Sequence, residues 1–312
     1  MKTLTRLAAI ILLLSPSFAA QNATGTAAPQ TSAAAQKPPR ALIVVAHPDD
    51  ESCFSATVYE ITHNLHGVVD QMVITNGEGG YRYSLLAEPY YNARLTEEAV
   101  GRAKLPEIRK QELMESGRVL GISNHYFLDQ RDVRYTQDIN EVLQQHWDSA
   151  SVQRQLSRRL AAGDYDFVFA LFPTKDTHGG HKAATITAFR AIKAMTGKRP
   201  VLLGCQGMES GMDAAKKLDW SGLSEPAFAT PALMPAYQVD RTVKFGFRNA
   251  LDYQIIANWV IAAHKSQGAF QMAMGKQTTE DFAILDTGDA SAERQAADAL
   301  FRELAATAVP RE

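Results

Sequence analysis

Ala46-His47-Pro48-Asp49-Asp50-Glu51, directly after the apolar run Ala41-Leu42-Ile43-Val44-Val45-Ala46, holds the most reactive combination of side chains in the sequence. It offers one imidazole and three carboxylates, borderline and hard metal ligands. A buried strand that breaks at a His-Pro step delivers them to its C-terminal end, where α/β sheets place their chemistry. A catalytic zinc ion takes about three protein ligands of N and O type and keeps one position open for water. His47 and one of the two aspartates supply two of these. His178-Gly179-Gly180-His181 follows a second apolar run, Phe167-Val168-Phe169-Ala170-Leu171-Phe172, and offers the third. Both segments read as strand, turn, ligand-type residues, then helix, so two parallel strands ending side by side would bring His47, Asp50 and His181 together. An acidic cluster at a helix start also interacts well with the helix dipole. That accounts for the carboxylates but not for His47 or the Pro48 step.

The elements that must carry these residues alternate. The pattern predicts strands over about 41–46, 68–75, 124–128, 167–172 and 201–205, and helices over about 53–65, 107–120, 150–162 and 182–195. Continuous apolar strands alternating with helices indicate an α/β fold, a Rossmann-like, mostly parallel sheet covered on both faces. No G-x-G-x-x-G follows the first strand, so the fold carries no implication of NAD. Two long connections interrupt the alternation. Residues 81–106 hold Tyr81, Tyr83, Tyr90 and Tyr91 with Arg82, Arg94 and Arg102; such aromatics suit stacking on sugar rings, and equally suit pinning a loop to the surface. Residues 206–236 are rich in Gly, Met, Pro and Ala and are expected to wall a pocket. Further helices are expected at about 246–265 and 291–305.

The N-terminus has the pattern of an export signal: Lys2 and Arg6, the apolar stretch Leu7 to Leu14, and Ser17-Phe18-Ala19 as a cleavage site. The expected organisation is a signal peptide over 1–19, a flexible linker over 20–39 and one domain over 40–312, with a periplasmic or extracellular location and no membrane span after cleavage. With 32 basic and 34 acidic side chains the formal charge is −2, so no clustered basic excess points to nucleic acid. Two cysteines, Cys53 and Cys205, make no disulfide framework, and the sequence leaves their pairing open.

Ala-His-Pro-Asp-Asp-Glu followed more than a hundred residues later by His-x-x-His resembles the PIG-L/LmbE-like deacetylases, zinc-dependent enzymes that remove acyl groups from amino sugars and related amines. The likeness extends through Thr75-Asn76-Gly77-Glu78-Gly79-Gly80, Arg109-Lys110-Gln111-Glu112, Phe127-Leu128-Asp129 and His264-Lys265-Ser266-Gln267. The resemblance implies Zn²⁺ as cofactor, His47, Asp50 and His181 as its ligands, Asp49 as general base, and His178 as a group that faces the oxyanion or passes a proton to the departing amine. Arg109, Tyr81 and His264 become candidate substrate-binding residues; an ion pair of Arg109 with Glu112 and plain packing of His264 are the alternatives. Family members commonly read His-Pro-Asp-His where this chain has His178-Gly179-Gly180-His181. The expected substrate is a small N-acyl amino sugar or glycoconjugate of N-acetylglucosamine type. An N-acyl peptide or thiol conjugate, or carbohydrate binding without catalysis, are the competing expectations.

Overall fold

The computed structural model describes residues 37–209, 236–268 and 275–307, and Pro38–Glu312 cluster as one unit. The expected signal peptide, nearly all of the expected linker, and most of the 206–236 connection lie outside the described residues. The strands are β1 (Arg40–Val45), β2 (Val68–Thr75), β3 (Asn124–Gln130), β4 (Phe167–Leu171), β5 (Val201–Met208), β6 (Tyr237–Asp240), β7 (Lys244–Phe245), β8 (Leu251–Asp252) and β9 (Thr279–Ile284). Seven of them form one sheet in the order β3-β2-β1-β4-β5-β9-β6, while β7 and β8 pair separately. The five strands expected from sequence are present and mutually parallel; β9 pairs antiparallel with β5, and β6 pairs antiparallel with β9 at the edge.

The continuous apolar composition of β1 follows from its burial on both faces. Ala41, Ile43 and Val45 enter one core, with Phe54, Leu113, Val260 and Leu300; Leu42, Val44 and Ala46 enter the other, with Val152, Leu156, Ile186 and Phe189. The helices supplying these faces are α1 (Ser55–Tyr59), α2 (Glu88–Tyr91), α3 (Glu98–Leu120), α4 (Ile139–Glu141), α5 (Ser149–Gly163), α6 (Gly179–Lys193), α7 (Tyr253–Ala263) and α8 (Ala290–Thr307). A 3-10 turn (Asp50–Phe54) leads into α1 and a π turn (Glu60–Asn64) leaves it. In α5, Val152, Leu156 and Leu160 recur every fourth residue on the buried stripe, and Asp148 caps the start by accepting from Ser151 N–H at 2.9 Å. Among the described residues no helix is long and apolar enough to cross a membrane.

The 81–106 segment is a correction to the sequence reading. It is mostly helical rather than a loop: a 3-10 helix (Glu78–Ala87), then α2, then the first turns of α3, which starts well before Pro106 and carries that proline inside it.

A buried polar latch ties the flange β9-β6 to the turn that follows β1. Glu280 on β9 accepts from Ala56 N–H (2.7 Å), Thr57 N–H (3.0 Å) and Thr57 Oγ1–H (2.6 Å). Arg241, just after β6, donates from Nε to Glu280 (2.8 Å) and from Nη2 to the Ser52 and Cys53 carbonyls. Both side chains are fully buried. Glu60 lies close behind. Burial, and then the Glu280 charge, push its carboxyl up to about 8. A carboxyl raised in the folded state contributes stability that is complete below its unfolded value, near 4.5, and is lost as pH rises through about 8. The variant Glu60→Gln is therefore expected to gain on the parent by a few kcal/mol in urea melts at pH 9 and by almost nothing at pH 4. An equal difference at both pH values would contradict this account.

Candidate active site

β1 and β4 are neighbours in the sheet, with Ala41 opposite Phe167, so the turns leaving their C-terminal ends meet. Asp50 folds back on the end of β1: its Oδ2 accepts from Ala46 N–H (3.1 Å) and His47 N–H (2.9 Å). Its Oδ1 faces His181 Nε2 at 3.2 Å, and His47 Nδ1 lies 3.1 Å from His181 Nε2 and 3.6 Å from Asp50 Oδ2. Metal–ligand bonds of 2.0–2.2 Å in a tetrahedral site place donor atoms about 3.3–3.6 Å apart. Two of these separations, 3.1 and 3.2 Å, fall slightly inside that range and the third, 3.6 Å, is to the other carboxylate oxygen, so the three side chains stand close to the spacing of a single ion. Their partners fix the rings: His181 Nδ1 pairs with Thr177 Oγ1 at 2.9 Å, and His47 Nε2 faces Asp132 Oδ2 at 3.9 Å. Burial opposes the Asp50 charge, yet His181 and His47 hold its carboxyl well below the usual range. Burial likewise opposes the charge on His47, and Asp50, with Asp132 and Asp49 behind it, raises the imidazole to about 9. This pocket of negative charge stabilises a cation.

His178 is different in kind. Its ring nitrogens lie within 4.8 Å of those of His47 and His181, but its Nδ1 lone pair accepts from Gly180 N–H (3.0 Å), capping α6. Burial and the neighbouring His47 and His181 lower it to about 3, so the ring is neutral and its proton sits on Nε2. With His47 and His181 it forms a group whose nitrogens could share one ion, while the bond from Gly180 N–H leaves Nε2 as the nitrogen that faces away from the helix start. Pro-Asp is absent from this turn, and a backbone N–H fixes the tautomer instead.

Asp49 stands beside the donor set and forms an ion pair with Arg109, Oδ1 to Nη2 at 2.9 Å. Arg109 is buried in α3, and its Nη1 donates to the Gly77 carbonyl. Gly77 has φ +67°, and a Cβ there would overlap the guanidinium, so this position requires glycine. The alternative pairing of Arg109 with Glu112 does not form; Glu112 accepts instead from Tyr91 OH and from Ser266.

These groups open into a cavity of about 400 Å³, also lined by Tyr83, Asp132, Tyr135, Gln206, Gln267 and Gln277. Two of the expected substrate-binding residues lie outside its lining. Tyr81 is buried among Ala87, Leu95 and Leu105, with its hydroxyl bonded to Arg82 Nε, because its turn directs it inward; Tyr83 takes the rim position. His264 has no exposed surface and donates from Nε2 to Glu51, which also accepts from Ser116; it braces the turn from behind the cavity. Asp132 and Gln277 escaped sequence reading, whereas Gln206 opens the connection expected to wall a pocket and Gln267 closes the last stretch of the family likeness. An isolated Asp between arginines carries no ligand spacing, and a glutamine amide carries none at all.

Donors gathered where parallel strands of an α/β sheet end, beside a separate carboxylate, form a group that could hold a metal ion in a hydrolase site. Residues 42–192 match the family model PIG-L, GlcNAc-PI de-N-acetylase. That segment, just under half of the chain, is similar to the PIG-L family, whose members are hydrolases that cleave amide C–N bonds. The chain is also similar to several solved structures. The 4-carboxy-2-hydroxymuconate hydratase of Pseudomonas putida KT2440 is 13% identical with a TM-score of 0.53, over 80% of this chain and 96% of that one. The N,N'-diacetylchitobiose deacetylase of Pyrococcus horikoshii is 18% identical with a TM-score of 0.49, over 78% and 83%. The A40926 pseudoaglycone deacetylase is 16% identical with a TM-score of 0.47, over 80% and 97%.

Proposed function

We propose that this protein is a zinc-dependent deacetylase that hydrolyses the N-acyl amide of an amino sugar of N-acetylglucosamine type, and that it works after export to a periplasm or the cell exterior. The observation that carries the reading is the cluster of His47, Asp50 and His181 side chains, gathered close to the spacing of one ion, beside an Asp49 that pairs with Arg109 and is not part of it. The family description supports an N-acetylglucosamine-type substrate. The Tyr83 and Tyr135 rings and the three glutamine amides in the lining are suited to stacking on and hydrogen-bonding a sugar. Export rests on the charged, apolar and small-residue pattern of residues 1–19.

His47, Asp50 and His181 would hold the zinc ion, which supplies Lewis acidity and positive charge at the cavity floor. Asp49, kept charged and aimed by Arg109, takes the proton of the attacking water. His178 Nε2–H donates to the carbonyl oxygen as that oxygen gains charge, a contribution typically worth about 3 kcal/mol. Asp49 then returns its proton to the nitrogen, and the free amine leaves.

His178 acting as a donor has a measurable signature. His178→Gln, which keeps an N–H at the right reach, is expected to retain roughly ten times the kcat of His178→Ala, and the alanine variant to lose about 10²–10³-fold. Equal losses would assign the ring a proton-transfer role instead. The function itself is tested by primary-amine release from N-acetyl amino sugars and from N-acyl peptides, with added zinc and with a chelator. Release from sugars that the chelator abolishes and zinc restores is the expected result. Release from peptides alone would reassign the substrate, and sugar binding without turnover in zinc would make the protein a binder.

A further inference from the structure

Two thiols meet under the cavity floor. Cys53, in the 3-10 turn that begins at Asp50, and Cys205, on β5, are both free and buried, with Sγ atoms 3.8 Å apart. The Cys205 thiol also reaches the Cys53 carbonyl at 3.5 Å, and Arg241 Nη2 donates to the same carbonyl at 3.2 Å, so the two cysteines are held face to face. The sulfurs of a disulfide stand about 2.05 Å apart. Closing the gap takes a movement of less than about 2 Å, within the range of side-chain rotation. Access is unequal: Cys53 contributes to the cavity wall, whereas Cys205 has no exposed surface, and burial beside Cys53 pushes its thiol well up.

We propose that Cys53 and Cys205 are a disulfide-forming pair, an oxidisable staple between the turn that carries Asp49 and Asp50 and strand β5. The oxidant is a low-molecular-weight disulfide entering through the cavity. The Cys53 thiol loses its proton, and the thiolate attacks one sulfur of that disulfide; the S–S bond breaks and one small thiol leaves with the proton. Cys205 then gives up its proton and attacks the Cys53 sulfur, expelling the second small thiol, which takes that proton. Two protein thiols are oxidised to one bridge, and one small disulfide is reduced to two thiols. The order is fixed because Cys205 is reached only through Cys53. The oxidising compartment implied by the N-terminal pattern is one in which such a bridge persists. No group of the proposed deacetylation is used, so the pair stands or falls separately from that function.

The test treats the full chain with glutathione disulfide, denatures it with a thiol-alkylating reagent present, and measures intact mass and the thermal midpoint. The expected product is a monomer lighter by two hydrogens, with no alkylated cysteine and a midpoint raised by about 5–10 °C, all reversed by a reductant. Cys205→Ala is expected to accumulate one glutathione on Cys53, and Cys53→Ala none while folded. Two alkylatable thiols in the treated parent, a disulfide-linked dimer, or Cys53→Ala modified as readily as Cys205→Ala would each overturn the proposal. The parent measurement decides the matter even where a variant fails to fold.

Discussion

Asp49→Asn is expected to leave the metal in place and to lower kcat for amine release by about 10²–10⁴-fold, the range lost when a positioned general base is removed. The expectation follows from separation of labour within two adjacent residues. Asp50 turns both oxygens inward, one to the β1 backbone and one towards His181, while Asp49 points to Arg109. Asparagine keeps the shape and still accepts from the guanidinium, but it cannot hold a proton taken from water. Metal content per chain and kcat, measured on the same preparation, check the prediction: unchanged metal with collapsed turnover is expected, and loss of metal with turnover would make Asp49 a ligand. Asn at this position also leaves the buried Arg109 without a charged partner, so a lower unfolding midpoint is expected alongside the kinetic loss. Asp49→Ala should be worse on that count and no worse in kcat.

The second large effect is on stability. Arg241→Ala is expected to cost about 3–5 kcal/mol, because it strands Glu280 as a buried charge and leaves the Ser52 and Cys53 carbonyls without their donor. In a domain of this size that corresponds to a fall in the thermal midpoint of order 10 °C. The loss is expected to be electrostatic rather than volumetric, which the double variant Arg241→Met with Glu280→Gln distinguishes. Neutralising both partners together should recover a substantial part of what the single change removes. Equal destabilisation by the single and double variants would assign the loss to packing. Because the latch ends on Ser52 and Cys53, metal affinity measured by titration should fall with stability even though no donor is altered.

The parallel half of the molecule was readable because its rule is simple. In a strand covered on both faces nearly every residue is apolar, and its end is marked by whatever ligand-type residues come next; β1 with His47-Pro48-Asp49-Asp50 and β4 with His178 and His181 both obey this, and β2 does so apart from its buried Asp70, Gln71 and Thr75. β9 does not. Thr279-Glu280-Asp281-Phe282-Ala283-Ile284 places two carboxylates in the sheet, and Glu280 is tolerated in the core only because Arg241 and the start of α1 surround it. That compensation is tertiary and leaves no local trace. α3 was read too short because Pro106 resembles a first-turn proline, though it sits well inside the helix. Tyr81 and Tyr83 illustrate the limit for the cavity. The composition of the segment identified it as aromatic and cationic, but which tyrosine turns inward depends on how a 3-10 helix is rotated against its neighbours, which is set by tertiary packing.

The partners of the buried latch lie far apart along the chain: Ala56 and Glu280 are separated by 224 positions. Synthesis runs from the N-terminus, so His47, Asp49 and Asp50 are made early and the residue that anchors their turn is made late. A nascent polypeptide arrested before Glu280 already contains His47, Asp49, Asp50 and His181, with Arg109 and His264 to brace their turn, but lacks the carboxylate that holds the start of α1. If the site binds the ion as proposed, its full register is reached only once the chain is complete.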